Sequence, residues 1–326
     1  MYPLMSPPQT LPAATLTLTN ELAYRRSFRA MNTDVTFLLV DWLSDGRASE
    51  AEAYFHAFES RFSRFLPESE LSRLNQRRGL LVQLSRPMRE LLLTARRLNR
   101  LTRGVFEPAI LAQLEAAGYD RSFELLEDRG AEPAPSPRAS RSLREMRLLR
   151  QEGLALLPLG LRLDFGGIGK GYAVDNAARI LRDTGGFLID AGGDIYAGGR
   201  GPTGRPWRVA VTDPDDGHEI EVVELVDAAI ATSTTRKRRW QRGGAEAHHL
   251  IDPRTQLPAE TGISSATVIA PSTAVADVFA KAAVILGVEQ GSALLDAHHC
   301  SGLFVLADGE VIRTSRWPRF GQGKEG

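Results

Sequence analysis

The sequence predicts an α+β fold in which mixed sheets pack against helices. Strand-like segments outnumber helical ones along the 326 residues. They do not alternate regularly with helices, which argues against a doubly wound parallel sheet. Hydrophobic residues make up 43% and charged residues 25%, so the chain can bury a large core without staples.

The elements follow in order. Residues 1–27 read as a flexible lead, with prolines at 3, 7, 8 and 12. The apolar run VTFLLVD at 35–41 reads as a buried strand. Between 48 and 62, Ala51, Tyr54, Phe55 and Phe58 recur at helical spacing. Leu91, Leu92, Ala95 and Leu98 make a second helical stripe over 88–101. The stretch AEPAPSPRAS, in a Pro-rich loop near 131–141, marks a linker or a surface insertion. Short strands are expected at 162–165 and 187–190, with a helix between them at 172–183. Further strands are expected at 207–211, 220–225, 228–232, 248–251, 266–270 and 301–306. A strongly apolar helix spans 274–286.

Composition narrows the function classes. Basic and acidic residues balance at 40 each, so net charge does not argue for nucleic acid or an anionic membrane. The basic run TRKRRWQR at 235–242 reads either as a nucleic-acid patch or as a solvated loop. Cys300 is the single cysteine, which precludes an intrachain disulfide. The first 20 residues lack a basic segment and an unbroken apolar core. No uninterrupted apolar stretch approaches ~20 residues, so no membrane span is expected. The expected location is cytoplasmic.

The chemistry concentrates in the segment 164–175, DFGGIGKGYAVD. A strand ends there, four glycines and Lys170 follow, and a helix begins. Glycines let backbone N–H groups approach an anion, and a helix start adds donors and a favourable dipole. The spacing matches neither a Walker loop nor a dinucleotide fingerprint. A second glycine turn, DAGGDI at 190–195, holds Gly193 and Asp194, the latter as a ligand-orienting group or a turn cap. In a strand, His248 and His249 would point to opposite faces, so one of them is a candidate acid or base. His298, His299 and Cys300 adjoin, but neighbours rarely converge on one metal. Asp277 and Lys281 lie four apart on the apolar helix, as an intrahelical pair or as a polar stripe facing a ligand or metal.

Taken as an ordered series, these blocks resemble the FAD:protein FMN transferases of the ApbE type. The blocks are FRAMNT at 28–33, FSRF at 62–65, SELSRLN at 69–75, GVFEP at 104–108, 164–175, 190–195, ATS at 231–233, HHLIDPRTQLP at 248–258, and Asp277 with Gly287. The resemblance implies one transferase-like domain over 28–320 with a short tail at 321–326, and an FAD cleft between lobes. It implies transfer of FMN from FAD to a Thr or Ser hydroxyl of an acceptor protein, releasing AMP, with Mg2+. Met31 and Thr33 would line the nucleotide site. Asp164, Gly166, Gly167 and Lys170 would shape the phosphate region, with Gly193 and Asp194 nearby. The Gly167 carbonyl and the Asp277 carboxylate would ligate the metal. Thr232, Ser233 and His249 would sit by the ligand, with His249, Asp277 and Lys281 as the catalytic candidates.

Three positions depart from the family pattern. Asn32 and Gln256 replace glycines, and Lys281 replaces a threonine whose hydroxyl helps hold the metal. An ammonium has no lone pair to ligate an ion. Two other readings therefore remain open, an FAD-binding carrier and an FAD pyrophosphatase.

Overall fold

The computed structural model describes residues 23–119, 141–237, 239–242 and 245–318, without the side chains of 238–247. β1 (Tyr24–Ala30) and β2 (Thr33–Leu39) open the chain as a hairpin. α1 (Asp45–Phe62), α2 (Glu70–Gln76), β3 (Leu81–Gln83), α3 (Arg86–Leu101) and α4 (Leu111–Ala116) follow. Next come β4 (Arg147–Leu149), β5 (Leu154–Leu156), α5 (Gly169–Leu181), β6 (Phe187–Ala191) and β7 (Asp194–Gly198). The chain continues through β8 (Trp207–Thr212), β9 (Glu219–Leu225), β10 (Ala228–Thr234), β11 (Arg239–Arg242) and β12 (Ala245–His248). It ends with β13 (Ile251–Asp252), β14 (Leu257–Pro258), β15 (Ile263–Ala270), α6 (Thr273–Ala297), β16 (Ser301–Leu306) and β17 (Val311–Arg313).

An antiparallel sheet in the order β1-β2-β6-β7-β10-β15-β16-β17 organises the fold. Successive strand residues point to opposite faces, and both faces are covered. Phe37, Ile189, Ala229, Ala231 and Val268 join α1, α3, α5 and α6 in the larger core. Their neighbours Leu38, Leu188 and Ile230 pack on the other side with Trp207, Val209 and Val223 of the β8–β9 hairpin. This burial on both sides is why the strands read as apolar runs rather than as alternating ones.

Most expected elements are present, and three differ. The lead ends earlier than expected, because β1 starts at Tyr24. Its residues alternate between half-buried and exposed, as an edge strand paired with β2 requires. Residues 162–165 form no strand. The Asn75 side-chain amide donates to the Leu163 carbonyl and accepts from the Leu163 N–H, both at 2.8 Å. A side chain therefore satisfies the backbone that a neighbouring strand would have satisfied. The expected strand at 248–251 is broken after His248. The Pro-rich stretch through residue 140, the first 22 residues and the tail lie outside the described residues.

α6 is long and apolar enough, by length and composition, to cross a membrane. It lies instead inside the protein against β10, β15 and α5. Gly287, at φ 83 and ψ 171, breaks the helix where the sequence analysis ended it. That region of backbone space belongs to glycine.

Two of the departures from the family pattern have a backbone explanation. Met31 and Asn32 sit at φ 54 and 58, as a two-residue hairpin turn with both central residues left-handed requires. Asparagine tolerates that region as few residues do. Gln256, at φ 65, is poorly suited to it, and its buried side-chain oxygen has no hydrogen-bond partner among the described residues. Gln256→Gly removes both costs against the flexibility of glycine, so it should raise stability by about 1 kcal/mol. A urea titration with unchanged slope and a higher midpoint is the expected result.

Candidate active site

The first turns of α5 have two structural jobs that shape the site. The first is at Gly171, where a Cβ would lie 2.7 Å from the Thr273 carbonyl oxygen, so α5 and α6 touch backbone to backbone. The second is at Asp175, whose carboxylate accepts from Thr273 N at 2.6 Å and Ala274 N at 3.0 Å. Ser272, at the cap position itself, makes no side-chain cap bond. Asp175 thus caps α6 from another helix. Burial raises its carboxyl pKa, opposed by these N–H donors. Together these contacts lock α6, which carries Asp277 and Lys281, against the glycine loop.

The β6–β7 turn is built similarly. Gly192, at φ 66, sits where a Cβ would be 2.1 Å from Thr33 Oγ1. Asp190 accepts from Gly193 N at 2.7 Å and caps the turn. Burial pushes its carboxyl up to about 7, against the Gly193 N–H and the Lys170 charge. Of the two parts expected for Asp194, the turn cap falls to Asp190 instead. Asp194 is 2% exposed and pairs with Lys170 Nζ at 2.5 Å.

These elements enclose a cleft with three compartments that meet at Gly166. The polar one contains Lys170, Gly193, Asp194, Thr232, Ser233, His249, Asp277 and Lys281. The β8–β9 loop, with Asp213 and Gly217, also lines it. An apolar one is formed by Val105, Phe106, Ile110, Leu114 and Ile285 together with Gly167, His249 and Lys281. The third lies between Met31, Phe58, Phe62, Phe65 and Lys170. Asp164 lines the second and third.

All the expected site residues except Thr33 therefore line one cleft. Thr33 is set back beneath Gly192, where it leaves no room for a side chain at that turn. The two histidines separate as their neighbours dictate. His248 Nε2 lies 3.0 Å from the Ala259 carbonyl, and its Nδ1 accepts from Leu250 N at 3.2 Å. That bends the chain and leaves His249 at the boundary of two compartments. The His298–Cys300 cluster takes no part. His298 lies against Phe279, and burial pushes the Cys300 thiol up to about 11.

Arg64 was not singled out by the sequence. Its side chain is 6% exposed, with Nε 3.6 Å from Asp164 Oδ1 and Nη2 donating to the Tyr119 carbonyl at 2.9 Å. The guanidinium lies 4.3 Å over the Phe65 ring and 4.7 Å over Tyr119. The FSRF block was the available signal, but its spacing does not tell which residue faces a ligand. Glu107, of the GVFEP block, is structural. It accepts from Asn99, Ser142, Leu143 N and Ala109 N.

Asp277 is 1% exposed and its Oδ1 accepts from the Lys281 ammonium. Its Oδ2 is buried and without a hydrogen-bond partner among the described residues. These residues do not fit a magnesium centre. Magnesium demands a near-octahedral set of oxygens, and here the ammonium already holds one oxygen of the carboxylate expected to ligate it. Two unit charges 4 Å apart in a partly buried site interact by about 4 kcal/mol, and a dication beside an ammonium doubles that repulsion.

The family model of the ApbE family matches residues 31–304. The chain belongs to the ApbE family. Among its relatives is the FAD:protein FMN transferase of Salmonella typhimurium, 26% identical over 266 residues, covering 79% of this chain and 76% of the relative. The Haemophilus influenzae FAD:protein FMN transferase is 26% identical over 302 residues, covering 85% and 86%. The ApbE protein of Thermotoga maritima superposes with a TM-score of 0.81 at 24% identity, over 90% of this chain and 97% of that one. The Vibrio cholerae flavin transferase ApbE gives 0.77 at 24% identity, over 90% and 98%. These two structures share the ApbE fold described above.

Proposed function

We propose that this protein transfers the FMN half of FAD to a threonine or serine hydroxyl of an acceptor protein. The observation that carries the reading is the chemistry of the adjoining compartments. A polar compartment, flanked by the Lys170–Asp194 and Lys281–Asp277 pairs, adjoins two compartments lined by aromatic and aliphatic side chains. A dinucleotide offers matching chemistry, a charged pyrophosphate and two ring systems. Family membership and the names of the relatives point to the same ligand.

In this reading the acceptor hydroxyl oxygen attacks the phosphorus of the FMN half. A new phosphorus–oxygen bond forms as the bond to the bridging oxygen breaks. AMP leaves with that oxygen and the electron pair. His249 takes the hydroxyl proton, and the glycine loop holds the pyrophosphate for in-line attack. Lys170 and Lys281 offset charge on the phosphates. No step is assigned to a metal.

The test is incubation with FAD and a peptide or domain carrying an acceptor threonine. The expected product is a covalent FMN adduct on the hydroxyl, with one AMP released per adduct. Tight FAD binding with no adduct would leave a carrier instead. FMN and AMP appearing without acceptor would make it a pyrophosphatase.

A further inference from the structure

The misfit of Lys281 with a metal centre has a consequence for how the ligand is held. We infer that the Lys281 ammonium serves as the resident cation of the polar compartment, so that FAD binding does not depend on a divalent metal. The inference rests on the flavin reading above.

Lys281 lies one turn after Asp277 on α6, and its ammonium contacts the carboxylate directly. The pair lies at the wall of the polar compartment, and Lys281 also borders the apolar one. Its side chain is 16% exposed, so the charge is largely desolvated. Near the Gly167 backbone, a Cβ at 167 would come within 3.9 Å of Lys281 Cδ. The lysine stem therefore occupies the ground between the glycine loop and Asp277, where the family resemblance would put the ion. An ammonium carries three N–H donors, enough to hold a carboxylate and a phosphate oxygen together.

A second pair repeats the device. Lys170 lies against Asp194, which is 2% exposed, in the lining of the same compartment. Both of these buried carboxylates are thus neutralised by ammonium groups of the chain itself. Asp213, the other carboxylate lining this compartment, sits on the β8–β9 loop. A divalent ion arriving at Asp277 would have to displace a like charge. A phosphate arriving there meets cations already in place, which costs no recruitment of an ion.

Calorimetry of FAD binding, in EDTA and in millimolar magnesium, tests this. The wild-type Kd should differ by less than about twofold between the two conditions. Lys281→Met should weaken binding in EDTA by about tenfold or more. Because Lys281→Met strands the buried Asp277 charge, the double variant Asp277→Asn with Lys281→Met is measured too. It removes both charges, keeps the shape, and should lose the same affinity. Lys281→Thr puts an oxygen donor beside Asp277 and should bind FAD at least about fivefold more tightly with magnesium than without. Wild-type binding that tightens about tenfold on adding magnesium would overturn the inference and leave the flavin reading intact. So would a double variant that binds FAD as the wild type does in EDTA. No FAD binding by the wild type in either condition would overturn the flavin reading, and the inference with it.

Discussion

Replacing Gly171 with alanine is expected to cost about 3 kcal/mol and to weaken FAD binding as well. The added methyl carbon would lie 2.7 Å from the Thr273 carbonyl oxygen, 2.8 Å from its carbon and 2.9 Å from Ala274 Cα. All three are backbone atoms, so no rotamer change relieves the clash. α6 would have to move away from α5. It is held there by the two bonds from its first N–H groups to Asp175. Any shift also carries Asp277 and Lys281 away from the glycine loop, which is why ligand affinity should fall with stability. Denaturant melts and FAD calorimetry on the same sample measure both. Gly46 in α1 is the control, since a Cβ there meets nothing within 4 Å. Alanine at 46 should stabilise slightly, by up to about 1 kcal/mol. If Gly171→Ala melts within about 1 °C of wild type, the close approach of α5 and α6 is not what the helices depend on.

His249→Ala is expected to lower the transfer rate by about 10²–10⁴, with the FAD Kd changed by less than about threefold. His249 is the imidazole that borders both the polar and the apolar compartment. It comes from a chain segment bent by His248, so its ring is positioned by a neighbour with no chemical part. In the proposed reaction a proton acceptor acts in the transition state, whereas the glycine loop and the lysines would hold the ground-state ligand. The loss should therefore fall on kcat. His248→Ala supplies the contrast, because it disturbs the bend and should affect stability and KM together. Single-turnover transfer to an acceptor peptide, followed by mass spectrometry, separates the two. A His249→Ala enzyme that transfers at the wild-type rate would remove the residue from the reaction.

Much of the site was legible because chemistry and spacing coincide in the sequence. The glycines of 164–175, the DAGGDI turn and the charged pair on an apolar helix are all local patterns. Each pattern contributes residues to the cleft. What spacing could not reveal was which job each residue performs. Gly171 reads as one more phosphate-loop glycine, yet it permits a helix–helix contact with residues about a hundred positions away. Asp175 closes the same motif, yet it caps α6. Residues 162–165 have strand-like composition, but their backbone partner is the side chain of Asn75, which no periodicity signals. Thr33 sits in a motif associated with the ligand, but its hydroxyl lies beneath Gly192.

The sequence by itself determined the α+β class, most of the helices and strands, and the family. Those properties rest on hydrophobic periodicity, on glycine and proline positions and on short ordered motifs, all of which are local in the chain. Only the tertiary structure decided that Lys281 lies against Asp277 in the wall of a cleft and that Lys170 pairs with Asp194 in the same lining. It also decided which of two adjacent histidines lines the cleft. These outcomes depend on contacts between segments distant in sequence. A charge four residues from another on a helix is a weak surface pair in water and a fixed cation in a closed cleft. The amino-acid sequence is the same in both cases, and burial sets the difference.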